Sequence, residues 1–201
     1  MKYLFIVYIF ISTIALSQTI EDLNLNGMQE FKNKNYKQAI NLFSKAIKID
    51  SKHPQLYYNR GLSYFKLNNY KNALQDFSNA IILDAKYIDA YFDRGLIYHD
   101  VGKHIDAIND FTTVIKLDPK YELAYYYRGF SRMGGLEDYK NAIIDFSKVI
   151  EINPNNANAY MFRGQAKVLM KNHVEGCKDL HKSKELGADG AETVIRWMCN
   201  K

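Results

Sequence analysis

At 201 residues, with 47% hydrophobic and 24% charged side chains, the chain suits one ordinary domain or a short repeat array and is too apolar to be disordered. Its formal charge of +5 is spread along the whole length without a run of five basic residues. Lys and Arg alternate with Asp and Glu, which excludes a phosphate-binding stripe from expectation and with it a nucleic-acid partner.

The first 17 residues form a segment of their own. Lys2 supplies a positive start, and residues 3–16 carry no charge and are mostly apolar. Ala15-Leu16-Ser17 puts small residues at both positions a signal peptidase inspects, so the segment is expected to be a signal peptide and Gln18 the mature N-terminus. An uncleaved anchor is the alternative, against which stands a stretch shorter than a membrane span. No cysteine follows it for a lipid anchor. The expected location is exported, periplasmic or extracellular, with no stable membrane span after cleavage.

Beyond that segment the sequence repeats. Arg60-Gly61, Arg94-Gly95, Arg128-Gly129 and Arg163-Gly164 recur at a period of 34 with one step of 35, and Gly27 begins the series. On the same beat fall Ala39, Ala73, Ala107, Ala142 and Gly176, then Phe43, Phe77, Phe111, Phe146 and Leu180. Leu23, Tyr57, Tyr91, Tyr125 and Tyr160 stand four residues before each glycine. Within a unit, Tyr57, Gly61 and Tyr64 share one helical face, and Ala73, Phe77 and Ala80 share another, so each unit predicts two helices. Small residues at the Gly and Ala positions let the two approach closely. The single extra residue lies between Gly129 and Ala142 and is expected to lengthen the turn at Gly134-Gly135.

This pattern resembles the tetratricopeptide repeat, a 34-residue unit with aromatic, Leu-Gly, aromatic and Ala-x3-Phe positions and a closing proline. The resemblance covers residues 20 to 190 in units 20–53, 54–87, 88–121, 122–156 and 157–190. Departures are Arg or Asn before the glycine, Glu30 and Lys167 at the inner aromatic position, a degenerate fifth copy and prolines closing only two units. The resemblance implies an all-α, right-handed α-solenoid of about five helix pairs. Stacked repeats leave an open apolar face at the end, and residues 191–201, with Val194, Ile195, Trp197 and Met198, read as the capping helix.

Where Leu is usual before the glycine, Arg is a charge that needs a partner. Asp76, Asp110, Asp145 and Asp179 recur on the second helices, while repeat one lacks both members, having Asn26 and Leu42. Pairing within each repeat leaves no orphan and predicts Arg60–Asp76, Arg94–Asp110, Arg128–Asp145 and Arg163–Asp179. An exposed basic ladder binding an acidic ligand is the alternative.

In the proteins this chain resembles, the first helices line a concave groove. Carried onto this sequence, those positions are Tyr58, Leu62 and Phe65, then Phe92, Leu96 and His99, then Tyr126, Phe130 and Met133, with Asn24, Met28, Met161 and Gln165 in the outer repeats. The resemblance implies a protein or peptide ligand for them; additional core is the alternative. Asn59 alone suits a carboxylate clamp, since Asn24, Met28, Asp89 and Asp93 stand where cations would be needed.

Cys177 and Cys199 read as a disulfide pinning the cap, with two free thiols as the alternative. His53, His99, His104, His173 and His181 form no metal-binding pair, and no nucleophile elbow, P-loop or dinucleotide glycine pattern occurs, so no metal, no cofactor and no catalysis are expected. The sequence thus points to an exported interaction scaffold, with an architectural subunit of an envelope or surface assembly as the second reading and a hidden enzymatic or polysaccharide-binding role as the third.

Overall fold

A computed structural model describes residues 19–199. The expected signal peptide, residues 1–17, lies outside the described residues. Those described are helical, with no strand among them. The helices are α1 (19–32), α2 (Tyr36–Ile49), α3 (Pro54–Lys66), α4 (Tyr70–Leu83), α5 (Ile88–Asp100), α6 (His104–Leu117), α7 (Glu122–Leu136), α8 (Tyr139–Ile152), α9 (Ala157–Leu169), α10 (His173–Glu185) and α11 (Ala191–Cys199). Each 34-residue unit is therefore one helix pair, and α11 follows the fifth.

The helix ends follow from local chemistry. Pro54 opens α3, where its missing N–H costs nothing. The side chains of Asn69, Asp138 and Asn156 accept from the backbone N–H three residues on, capping α4, α8 and α9. At the other end Asp50, Asp84, Asp118 and Asn153 turn extended, and each side chain accepts from the N–H two residues later. These turns stop four second helices, so the proline that two of them also carry is dispensable there.

The extra residue of the fourth repeat falls differently from expectation. α7 runs 15 residues against 13 in α3, α5 and α9, so the insertion lengthens the helix and not the turn. The other pairs close with a backbone bond spanning five residues, such as Asn69 N–H to Tyr64 C=O; here Asp138 N–H reaches Arg132 C=O, spanning six. The last turn of α7 widens to absorb the residue, and α8 keeps its phase.

The chain divides into two compact units, one ending at Ala90 and one beginning at Tyr91, with the boundary inside α5. In the first, Ala39, Phe43, Ala46 and Leu56 form a core to which Ile20, Leu23, Phe31 and Ile47 add. Gly61 meets Phe77 so closely that an added Cβ would stand 2.8 Å from its ring. In the second, Phe111, Val114, Phe146, Val149 and Leu180 are fully buried. In its last pair Gly164 and Gly176 face each other, and a Cβ on Gly164 would lie 2.8 Å from the Gly176 carbonyl. That contact explains why the fifth repeat has glycine where the others have alanine: the backbones themselves touch.

Candidate interaction surface

The recurring arginines are held by three kinds of contact. Arg60 donates through Nε and Nη2 to both carboxylate oxygens of Asp76 at 2.8 Å, and Arg94 does the same to Asp110 at 2.8 and 2.7 Å. Arg128 meets Asp145, and Arg163 meets Asp179, each on the second helix of its own repeat. The guanidinium carbons lie 5.4 to 5.6 Å from the ring centroids of Tyr57, Tyr91, Tyr125 and Tyr160. Nη1 then donates to a hydroxyl of the preceding repeat: Arg60 to Ser44, Arg128 to Thr112 and Arg163 to Ser147. Arg60, Arg128 and Arg163 thus each tie two second helices together. The arginines are used internally, which leaves no exposed basic ladder.

Burial acts on the two carboxylates of the first pairs. Desolvation pushes the Asp76 and Asp110 carboxyls up, against the pull of Arg60 and Arg94. The hydrogen bond to Asp76 holds the Arg60 guanidinium above its usual value. In the last two repeats a second cation joins: Arg132 bonds Asp145 at 2.6 Å and Lys167 bonds Asp179 at 2.7 Å. Both stand at the inner aromatic position, so the departure at Lys167 is a local exchange of ring for charge.

The groove positions fall into two sets, one in each unit. In the first unit, the Tyr58 ring lies 5.7 Å from Phe77 and 5.0 Å from Tyr87, while Leu62 and Phe65 are half-buried. Asn59 donates to Asn24 at 3.0 Å, so its amide is engaged within the chain. In the second unit, Tyr126 lies 6.0 Å from both Phe146 and Phe162, and Phe130 lies 4.9 Å from Phe162 and 5.2 Å from His99. Leu96, His99, Tyr126, Phe130 and Met133 are half-buried. Phe92 is different. It is only 8% exposed, enclosed by Phe111, Tyr121 and Tyr127, and belongs to the core. The structure also relocates the tyrosine face: Tyr57, Tyr91, Tyr125 and Tyr160 lie against the arginines, while Tyr58, Phe92 and Tyr126 meet the second-helix rings of Phe77, Phe111 and Phe146.

His99 closes one end of this aromatic array. Its Nδ1 shares a 2.8 Å hydrogen bond with the buried hydroxyl of Ser131, and its ring stands edge-on to His104, 5.6 Å away. Burial lowers the His99 imidazole below its usual value, His104 lowers it further and Asp100 opposes both. His104 packs where Gly135 has no side chain; a Cβ there would stand 2.0 Å from the ring. Tyr127 and Phe162 also belong to the array and are missed by the groove register, since each follows a register position, Tyr126 or Met161, by one residue. The hydroxyl partners of the arginines are likewise missed, although Phe43-Ser44, Phe111-Thr112 and Phe146-Ser147 keep the period and could have shown them.

Cys177 and Cys199 are joined as a disulfide between α10 and α11. Around it Val168, Leu180 and Ile195 form a small core with Met161, Val194 and Met198. No cluster of three or more metal-ligating side chains occurs among the described residues, and none of their helices is long and apolar enough to cross a membrane.

Paired helices locked by glycine against phenylalanine, at a period of 34, define a helix-pair repeat protein. The family described as TPR repeat matches residues 27–68 and 61–102, and the one described as tetratricopeptide repeat matches residues 88–121 and 134–156. These matches together span more than half of the chain, which belongs to the tetratricopeptide repeat family. Among solved structures, a crystal structure of MamA shares 22% identity and a TM-score of 0.80, covering 88% of this chain and 96% of that one. MamA from Desulfovibrio magneticus, from residue 41 to its end, shares 17% identity and a TM-score of 0.78, covering 84% of this chain and 94% of that one. YrrB, described as a TPR protein with an unusual peptide-binding site, shares 19% identity and a TM-score of 0.79, covering 90% and 98%. At these identities the likeness is one of fold, the all-α solenoid of helix pairs with a C-terminal helix. No curated protein sequence matches the chain.

Proposed function

We propose that the chain is an exported, non-enzymatic scaffold that binds a protein or peptide through the aromatic surface of its first helices. The observation that carries this reading is the array of His99, Tyr126, Phe130 and Phe162 in the second unit, whose rings contact one another while each stays partly exposed. Core residues at comparable positions, such as Phe92, are enclosed; these are not. Partly exposed aromatic clusters offer large, rigid apolar area at low entropic cost, the usual anchor of a recognition surface. The peptide site named for YrrB supports the reading by analogy of fold alone. Export rests on the charge and small-residue pattern of residues 1–17.

Crosslinking in intact cells, followed by identification of the captured protein and of the chain's own N-terminus, tests both parts. The wild-type chain should begin at Gln18 and capture a partner that Tyr126→Ala combined with Phe130→Ala loses. Capture unaffected by those changes would sink the groove reading, and a retained residue 1 would sink export by cleavage. A second reading, an architectural subunit using its outer helices, draws on the exposed Ile82, Ile105, Ile144 and Val174 of the second helices, at 58 to 79% exposure. In that case capture survives the double variant and falls with Ile144→Lys.

A further inference from the structure

We propose that α11 is a redox-operated cap: the Cys177–Cys199 disulfide is a latch, Gly187 and Gly190 are its hinge, and reduction swings the helix off the end of the fifth repeat. Four independent features meet here. The helix has nine residues, too few to hold helical form without packing or a cross-link. It joins α10 through residues 186–190, in which Gly187 and Gly190 both take left-handed backbone angles, φ +82° and +77°, with nothing within 4 Å of where a side chain would begin. Leu186 and Ala188 of this link are half-buried and Leu186, Gly187 and Ala188 donate backbone bonds back to α10, so rotation is left to the backbone angles of the two exposed glycines. The contacts that hold the cap beside the disulfide include two buried side chains, Ala191 and Ile195, the half-buried Val194 and Met198, and the Lys184–Glu192 ion pair, both of whose members are about half exposed. Its apolar face covers Val168 and Leu180, with Met161 beside them.

Both cysteines are half-buried at the edge of the Val168, Leu180 and Ile195 cluster rather than enclosed within it. A dithiol reductant supplies the electrons. Its thiolate attacks one sulfur, the S–S bond breaks, and a mixed disulfide forms while the other cysteine leaves as thiolate. The second thiol of the reductant then displaces the remaining cysteine and departs as a cyclic disulfide, having given two electrons; each cysteine takes up a proton. The 22-residue separation makes the closed loop long enough for the cross-link to bias the cap strongly. Opening uncovers Met161, Val168 and Leu180 at the end of the array.

Trp197, the chain's one tryptophan, lies on α11 and is 68% exposed, so its fluorescence reports the helix directly. The experiment uses the full chain, oxidised, then reduced with dithiothreitol, then reoxidised, and compares each state with the Cys177→Ser/Cys199→Ser variant. Amide hydrogen exchange is read over residues 191–199 and over α9 as internal control. The expected result is exchange on the order of a hundredfold faster over α11 on reduction, reversed on reoxidation and matched by the variant, with α9 unchanged and Trp197 emission shifted. Unchanged α11 exchange would overturn the proposal. So would equal loss of protection through α9 and α10, which would make the disulfide a staple for the whole repeat, or free thiols in the oxidised preparation.

Discussion

Arg94 and Asp110 show how a charge survives in a helix pair. Two hydrogen bonds of 2.7 and 2.8 Å and a tyrosine face on either side stand in for water. Desolvation outweighs the pull of Arg94 on the Asp110 carboxyl, so burial pushes it up despite its partner. The pair therefore adds little net stability while each member depends on the other. Asp110→Ala and Arg94→Ala should each cost about 3 kcal/mol or more by stranding a charge, and the double variant far less than their sum. Chemical unfolding of the three proteins measures this, and additive losses would refute the coupling. His99 makes the opposite kind of prediction. Its folded pKa is lowered, so the neutral ring's stability is fully present above the ordinary value near 6.5 and is lost as pH falls through the folded value. The thermal midpoint should fall between pH 7.5 and 5 by more in the wild type than in His99→Gln.

Among the elements, the second helices are joined by a contact that belongs to neither repeat alone. Arg163 donates to Asp179 of its own repeat and to Ser147 of the one before, and Arg128 does so with Asp145 and Thr112. Removing the hydroxyl leaves the ion pair in place and takes away one bond between neighbours. Ser147→Ala should cost about 1 kcal/mol, and the loss should vanish when Arg163 is already Lys, because an ammonium cannot reach both partners in one plane. Urea unfolding of the single and double variants reads this out. The sequence shows why the hydroxyl went unread: its period is visible, but a serine after a buried phenylalanine is ordinary at a helix surface, and only the packed neighbour reveals an arginine above it. The α7 insertion is a parallel case. Gly134-Gly135 reads as a turn by composition, yet helix continues through both, and His104 packs where Gly135 lacks a side chain.

Across the molecule, the repeat period carried most of the information. Five glycines in register, each opposite a large apolar group, determine that helices pair and roughly where each begins, because close approach of two helices demands a small residue facing a large one. The sequence by itself thus determined the family, the helix count and the two sides of each pair. Tertiary structure alone decided what each aromatic stripe does. Period and composition are the same for Tyr57 and Tyr58, for Phe92 and Tyr126, yet Tyr57 lies against a guanidinium, Phe92 is enclosed by three rings and Tyr126 stays partly open. A helical period fixes the direction in which a side chain leaves its own helix; how much of it is then covered depends on neighbours from other helices and turns, as Phe111, Tyr121 and Tyr127 do around Phe92.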